Sequence, residues 1–308
     1  LTQADDILLF SLSAAGLQVK LNALTSWCSK NFITVNKLKT VILIFGVIPA
    51  SVIAPNFYVG VYKLSISEEE RYVGVTVQPG LARPFKVHLE KKASTARYSG
   101  HCIFAIQDKT GRLMSMQLKL LYNARVDCHL THACEVVPDT INAHVKDLEK
   151  IQEWFIRWSL HVGKKAPRIA LYTETGLIPL RVRRLLLLMC YLQYLLNLKD
   201  HHYTHLALTS SRSLYFAGKS SWYGDVQTAC ERLPFYVRPV PVLADATEIA
   251  VYMAEVEKVA EMWLLRQLNR PLPLKMRTYL TCTVSKYRDA LASVVFSTHK
   301  LAVERLRW

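Results

Sequence analysis

The stretch Ala4-Asp5-Asp6-Ile7-Leu8-Leu9-Phe10 places two adjacent carboxylates directly before an aliphatic run. Adjacent acids repel each other, and apolar neighbours raise the free-energy cost of keeping both charged. A hairpin with Asp5 and Asp6 in its turn would carry both acids at its tip, facing solvent or a divalent cation. Aspartate is also common in ordinary turns. The pair therefore leaves two interpretations open, a metal-binding turn and a simple acidic turn.

The composition is that of a folded protein with a strong positive charge. The chain has 308 residues, of which 51% are hydrophobic, enough for a sizeable core. Its formal net charge of +15 favours polyanionic partners, nucleic acid before anionic membranes, although a solvated basic surface is the plainer explanation.

The cysteines and the apolar runs bear on the compartment. The seven cysteines form no Cys-x-x-Cys pair, which is typical of free thiols in a reducing environment. The longest apolar run, Leu185–Leu198, is shorter than the roughly 20 residues that span a bilayer. We therefore expect an intracellular protein without a membrane segment, and no signal separates nucleus from cytoplasm.

Hydrophobic periodicity divides the chain into an α/β part and a helical part. Ser13 precedes an amphipathic helix with Leu17, Leu21, Leu24 and Cys28 on one face. Strands are predicted at Ile7–Phe10, at Val41–Phe45, which would be buried on both faces, at Phe57–Ile66 and at Tyr72–Val77. Helical periodicity dominates after residue 80. Helices are predicted from about Phe85 to Ile106, Leu113 to Val136, Ala143 to Leu160, Leu180 to Leu198, Thr247 to Leu268 and Lys286 to Arg305. The segment Thr209–Leu243 is the least regular.

The order of these elements and motifs resembles the second half of the palm in non-LTR retrotransposon reverse transcriptases. In that family an aromatic-Ala-Asp-Asp turn is the catalytic motif, a Lys-Thr pair precedes the next strand, and a Tyr-Leu-Gly-Val segment closes the palm. The matching stretches here are Ala4-Asp5-Asp6, Lys39-Thr40 and Tyr72-Val73-Gly74-Val75. Further similarity, to the thumb and the region after it, extends to about Leu198 and includes Leu121–Asp127, Leu148–Gln152, Phe155–Trp158 and Glu174–Leu180.

This resemblance implies an α+β fold in three parts. Residues 1–80 would form a partial polymerase palm of antiparallel strands plus a helix. Residues 81–142 would form a helical thumb-like region, and residues 143–308 a helical C-terminal region. The thumb-like and C-terminal regions, which follow the palm, would both be mainly α-helical.

The resemblance also implies an RNA-directed DNA polymerase, a nucleotidyltransferase that uses Mg²⁺. Nucleotidyl transfer uses two divalent cations about 4 Å apart, which clamp the attacking and leaving oxygens. Asp5 and Asp6 would bind the catalytic Mg²⁺, and Lys39 would lie near the incoming nucleotide.

Two departures from the family pattern limit the expected activity. Gln3 stands where the family has an aromatic residue, and the family's further metal-binding aspartate comes from an earlier palm strand, whereas only Leu1–Ala4 precede Asp5. We therefore expect a fragment whose N-terminal palm and fingers segment is missing, with weak Mg²⁺ binding and no polymerase activity on its own. The alternative is a non-catalytic, nucleic-acid-binding helical remnant.

Two groups of basic residues are candidate contacts for an RNA/DNA duplex or hybrid. The first lies on the first helix after the palm-like part, where a thumb would follow the phosphates of the product. It consists of Lys86, Lys91, Lys92 and Arg97. The second group, Arg181, Arg183 and Arg184, opens a later helix, where cations oppose the helix macrodipole. A solvated helix face is the alternative for the first group, and local salt bridges are the alternative for the second.

A cluster of cysteine and histidine residues, Cys128, His129, His132 and Cys134, offers ligand types that suit zinc. On a helix, however, His129 points about 100° away from Cys128, so the four side chains converge only if the helix unwinds. The sequence therefore favours core or interface side chains over a zinc site.

Overall fold

The computed structural model describes residues 2–3, 6–46, 55–79, 84–242, 244–267 and 275–296. The fold is a mixture of α-helix and β-strand that is mostly helical and has only small sheets, which confirms the predicted α+β class at that level. The chain forms two compact units, residues 1–88 and residues 89–308. The palm and thumb assignments, and the three-part division at residues 80 and 142, stay predictions.

The strands of the first unit pair two by two, in four small sheets within the described residues. Three pairs are antiparallel hairpins, β1–β2, β4–β5 and β7–β8, and β3 lies parallel to β6. The strands are β1 Thr2–Gln3, β2 Asp6–Ile7, β3 Val41–Ile42, β4 Tyr58–Val59, β5 Tyr62–Lys63, β6 Ser65–Ile66, β7 Glu70–Tyr72 and β8 Val75–Val77.

Helix α1, Ala14–Lys30, begins where the sequence predicted. The Ser13 hydroxyl accepts a hydrogen bond from the Gly16 backbone N–H at 3.1 Å and so caps the first turn. Leu21 and Cys28 are both buried, which confirms the predicted inner face. Leu21 packs in a small core with Ile42 of β3, Val59 of β4 and Phe57, and the partly buried Leu17 packs against this core.

The predicted strands of the first unit are partly wrong, because two of them contain turns and, of the predicted strand Ile7–Phe10, only Ile7 lies in a strand. The backbone at Gly60 has a φ of +61°, so the segment predicted as the strand Phe57–Ile66 folds back as the hairpin β4–β5 and then continues into β6. Val73 and Gly74 both have positive φ, which is the two-residue connection that suits the twist of a hairpin. Phe45 is 60% exposed, so the predicted strand that ends there is not buried on both faces.

Helices follow from Lys86 onward. Their bounds are α2 Lys86–Thr110, α3 Ser115–Leu121, α4 Cys128–Leu130, α5 Asn142–Ser159, α6 Arg168–Thr175, α7 Leu180–Leu196, α8 Tyr203–Phe216, α9 Trp222–Glu231, α10 Ala246–Gln267 and α11 Ser285–Val295. A π-helical segment, Tyr122–Asp127, joins α3 to α4, and a short 3₁₀ helix, Thr278–Thr281, precedes α11.

The predicted helices starting near Phe85, Ala143, Leu180, Thr247 and Lys286 are confirmed within a few residues at their starts, as α2, α5, α7, α10 and α11. The last of these helices was predicted to run from Lys286 to Arg305, and Arg305 lies outside the described residues. The segment Thr209–Leu243, predicted as the least regular, contains most of α8 and all of α9, while its residues 217–221 and 232–242 lie outside helices. Helix α6 was not predicted, because eight residues are too few to show helical periodicity.

Two clusters of buried apolar side chains lie in the second unit. The first joins α2, α3, α5 and α6, and in it Phe104 stacks on Phe155 with the ring centroids 5.0 Å apart. The second surrounds α7, α9 and α10 and includes Met189 and Tyr252. Because Phe104 belongs to the predicted thumb-like region and Phe155 to the predicted C-terminal region, these two regions share a core.

Candidate metal site and nucleic-acid interface

The acidic pair adjoins an antiparallel hairpin. Strands β1 and β2 pair in the register Thr2↔Ile7 and Gln3↔Asp6. Asp6 is therefore the first residue of β2, and it is exposed. Asp5 lies outside the described residues. Of the two predicted metal ligands, only Asp6 has a described position, at the connected end of a hairpin and open to solvent.

Lys39 follows a polar turn that leads into β3. The backbone N–H of Lys39 donates to the Asn36 side-chain oxygen at 3.2 Å, and the Thr40 hydroxyl donates to the Asn36 carbonyl at 2.8 Å. Lys39 itself is exposed. These hydrogen bonds fix the backbone that carries Lys39, while its ammonium group stays at the surface.

The chemistry of Asp6 suits Mg²⁺, which prefers hard carboxylate oxygens and keeps several of its waters. Among the residues that the structure describes, which do not include Asp5, no group of three or more His, Cys, Asp or Glu side chains is arranged to hold a metal ion. A single described carboxylate does not define a coordination geometry. Binding of Mg²⁺ by Asp5 and Asp6 stays a prediction.

The first basic group lies along α2. Lys86, Lys91 and Arg97 are exposed, and Lys92 is half-buried. Positions four and seven residues apart return to the same side of a helix, so Lys91 and Tyr98 share the outer side of α2. Tyr98 is 71% exposed. The outer side of α2 thus carries basic and aromatic side chains that solvent reaches.

Arg184, from the second basic group, lies in the interior. Its side chain is 1% exposed and binds the Asp139 carboxylate through two nitrogens, Nε to Oδ2 at 2.8 Å and Nη2 to Oδ1 at 2.7 Å. Its Nη1 donates to the Leu130 carbonyl. Burial opposes the charge, but Asp139 raises the pKa of Arg184 above its ordinary value. The side chain is thus a buried cation with internal partners for its charge.

Arg181 has a similar environment. Its side chain is 8% exposed, its Nε donates to Glu149 Oε1 at 3.2 Å, and its Nη1 donates to the Arg232 carbonyl at 2.9 Å. The Asn142 side-chain oxygen accepts a further hydrogen bond from Nη1. Three helices are joined through this guanidinium: α7, which carries Arg181, α5, which supplies Asn142 and Glu149, and the end of α9 at Arg232.

Arg183 differs from its two neighbours, because its side chain is 41% exposed. Its Nε donates to Asp127 Oδ2 at 2.6 Å. Asp127 ends the π-helical segment and is buried; burial raises the pKa of its carboxyl group, and Arg183 opposes that shift. The local salt bridges that were the alternative for this group are therefore present at all three arginines, and contact with a phosphate stays a prediction.

Sequence reasoning missed the acidic partners Asp127, Asp139 and Glu149. They precede their arginines by 32 to 56 residues, so no helical spacing connects them. The available signal was indirect: several cations at the start of a helix oppose the macrodipole and so require compensation. That signal predicts that partners exist without identifying them.

Comparison with known proteins gives no assignment: no protein-family model, curated protein or solved structure matches this chain. No helix in the described part of the chain combines the length and the apolar character needed to cross a bilayer. The similarity to reverse transcriptases therefore depends on the motifs and their order alone.

Proposed function

We propose that this chain is part of an RNA-directed DNA polymerase of the non-LTR retrotransposon type and that it binds the primer–template duplex. The observation that carries the proposal is the register Gln3↔Asp6, which leaves only Ala4 and Asp5 between two antiparallel strands. A hairpin whose second strand begins at Asp6, followed by a helix, further strands and a long basic helix, matches the order of parts in that family.

The chain's own residues have separate roles in this proposal. In the family's reaction the 3′ oxygen of the primer attacks the α-phosphorus in line, and pyrophosphate leaves. Bound Mg²⁺ would neutralise the charge that develops on these oxygens. Asp5 and Asp6 would hold the ion through carboxylate oxygens, and the exposed ammonium group of Lys39 would attract the phosphates of the nucleotide.

Duplex binding would involve α2. The exposed Lys91 and Arg97 offer cations to successive phosphates, Lys92 lies between them, and Lys86 lies at the start of the same helix. Such contacts hold a duplex irrespective of sequence, as a polymerase requires. Arg183 is the member of the second basic group whose side chain reaches solvent.

The test combines duplex binding with primer extension. We expect an RNA/DNA hybrid to bind with an affinity that falls steeply between about 50 and 200 mM salt, because phosphate contacts release counterions. We expect no primer extension by the 308-residue chain with Mg²⁺ on a primed RNA template, because Gln3 stands where the family has an aromatic residue before the acidic pair. Failure to bind a hybrid at low salt would contradict the proposal, and template-dependent DNA synthesis would contradict the expected inactivity.

A second candidate function is non-catalytic binding of nucleic acid by the helical part. It is favoured by the second unit, which has two hydrophobic cores of its own and carries most of α2. The variant Asp6→Asn separates the two functions. If Mg²⁺ strengthens hybrid binding by the parent chain but not by the variant, the polymerase proposal is supported. If Mg²⁺ affects neither protein, binding without a metal site is supported.

A further inference from the structure

Stacked rings extend from the core of the second unit to its surface. Phe104 is buried and stacks on Trp158 with centroids 3.3 Å apart, and it meets Trp154 edge-on at 5.2 Å. On the outer side, the ring of His101 lies against Trp154 with centroids 4.7 Å apart. His101 is exposed, so the inner end of this aromatic stack lies in the core and its outer end faces solvent.

The aromatic stack is held rigidly where α2 crosses α5. A Cβ atom at Gly100 would lie 2.7 Å from Trp154 Cζ3, so the indole rests directly on the α2 backbone. The same hypothetical atom would lie 3.4 Å from the ring of Phe155. Because glycine permits this close approach, the orientation of Trp154 is set by backbone packing, and the ring of His101 has a fixed support.

Cationic and aromatic groups flank the outer end of the aromatic stack. Arg97 lies one helical turn before His101, and its guanidinium carbon is 5.8 Å from the centroid of Trp154, within the range of a cation–π contact. Tyr98 lies three residues before His101, in a neighbouring position on the helix surface. All three side chains are exposed. Two planar rings and one guanidinium are thus presented to solvent side by side.

The exposed rings of this arrangement are not part of the buried core. Phe104 packs in the core beside α5, whereas Tyr98 is 71% exposed and His101 is also exposed. Planar rings with a nearby guanidinium are the combination that binds single-stranded nucleic acid, because the rings stack on bases and the guanidinium pairs with phosphate. The net charge of +15 favours the same polyanion.

We propose that Tyr98, His101 and Arg97, supported by Trp154, form a stacking surface for single-stranded nucleic acid. The inference rests on the proposed function and specifies its partner further, as unpaired bases beside the duplex. A base within a duplex is covered on both faces by its neighbours, so only an unpaired base can extend the aromatic stack beyond His101. The Arg97 guanidinium then pairs with the adjoining phosphate.

The experiment measures the affinities of the full chain for a fluorescently labelled oligothymidine, a labelled oligouridine and a blunt duplex of equal length. We expect His101→Ala and Tyr98→Ala each to weaken single-strand binding about tenfold, since base stacking on an aromatic ring contributes on the order of 1–3 kcal/mol. Duplex affinity should change less than about twofold, because phosphate contacts do not use the rings. His101→Phe should restore single-strand binding, because phenylalanine also stacks.

A matched control is Tyr203→Ala on α8, which removes a tyrosine that is 82% exposed and should change neither affinity. If both ring variants bind the oligonucleotides as the parent does while duplex binding persists, the stacking surface is refuted and the proposed function stands. If the parent chain binds neither single strands nor the duplex, both the stacking surface and the proposed function are refuted. Polyglutamate is a competitor that carries negative charge but no bases. If it displaces the labelled oligonucleotide as effectively as unlabelled oligonucleotide does, binding depends on charge alone and the inference is also refuted.

Discussion

Two basic segments of this chain have similar charges and opposite environments. On α2, Lys91 and Arg97 are exposed, whereas at the start of α7 the side chains of Arg181 and Arg184 are 8% and 1% exposed. The side chains of Arg181 and Arg184 bind acids and carbonyl groups in the protein interior, while Lys91 and Arg97 lie at the surface. Positive charge in a sequence therefore indicates a phosphate partner only where the fold leaves the side chain at the surface.

The difference has a physical cause. A guanidinium has five N–H donors in a fixed planar fork, so a buried arginine needs several acceptors at once. Arg184 finds them in Asp139 and the Leu130 carbonyl. Desolvation makes such a buried pair a weak net source of stability, but removal of one partner leaves the other charged and unsatisfied. We therefore expect substitution of Arg181 or Arg184 to lower the free energy of unfolding more than substitution of the exposed Lys91 or Arg97.

The largest expected effect comes from Arg184→Met. The substitution keeps much of the side-chain length but leaves the Asp139 carboxylate without its bidentate partner. We expect the free energy of unfolding to fall by about 3–5 kcal/mol, because breaking a buried ion pair leaves an uncompensated charge. Urea denaturation followed by circular dichroism measures the change.

The matched control is Arg238→Met, which breaks a surface pair with Glu255 at 2.9 Å between side chains that are 47% and 41% exposed. We expect a loss of no more than about 1 kcal/mol, as for other exposed pairs. If both variants lose the same free energy of unfolding, the buried Arg184 contributes no more to stability than the exposed Arg238. That result would contradict the contrast drawn here between buried and exposed cations.

An intermediate effect is expected when the exposed cations of α2 are neutralised. The double variant Lys91→Gln/Arg97→Gln should bind an RNA/DNA hybrid about tenfold more weakly, and the slope of log affinity against log salt should become shallower by about two. Its free energy of unfolding should stay within about 0.5 kcal/mol of the parent, since surface substitutions rarely cost more. Fluorescence anisotropy at several salt concentrations gives the affinity and the slope together.

Lys258→Gln on α10 serves as the control, because Lys258 is also exposed but lies outside the proposed interface. We expect it to leave the salt slope within about one of the parent, since it removes no phosphate contact. If the double variant binds the hybrid with the affinity of the parent, Lys91 and Arg97 do not contact phosphate. The alternative that the sequence left open, a solvated helix face, would then be correct.

The smallest expected effect is a dependence of stability on alkaline pH. Cys134 lines a small cavity with Asp139, Arg181 and Arg184, and burial raises the pKa of its thiol from 9.0 to about 12. Above pH 9 the unfolded chain releases this proton and the folded chain keeps it, so folding stability falls as the pH rises toward 12. Between pH 7 and pH 9.5 this thiol should account for a loss of about 0.8 kcal/mol.

The variant Cys134→Ala removes that contribution, so the stability gap between parent and variant should narrow by this amount on going from pH 7 to pH 9.5. A gap that stays constant would show that the thiol ionises equally in both states. Thiol labelling gives a second measure: we expect the exposed Cys102 on α2 to react with iodoacetamide well before the buried Cys134.

Local signals in the sequence predicted much of the helical structure. Ser13 marks the start of α1 because its hydroxyl satisfies a backbone N–H of the first turn, and long apolar periods mark α5 and α10. The hairpin turn at Val73 was not predictable, because a β-branched residue is uncommon at positive φ. The helix predicted from Leu113 to Val136 ends at Leu130 in the structure, and it contains the π-helical segment that ends at Asp127, whose buried carboxylate binds Arg183.

The sequence by itself determined the charge, the order of the main helices and the motif Ala4-Asp5-Asp6, because these depend on residue types and on spacing along the chain. Only the tertiary structure decided which cations stay in water. Arg184 and Asp139 are 45 residues apart in sequence, and chain folding brings their charges together. The close crossing at Gly100, which supports the ring of His101, is likewise a contact between distant segments, since no local pattern encodes how closely two helices approach.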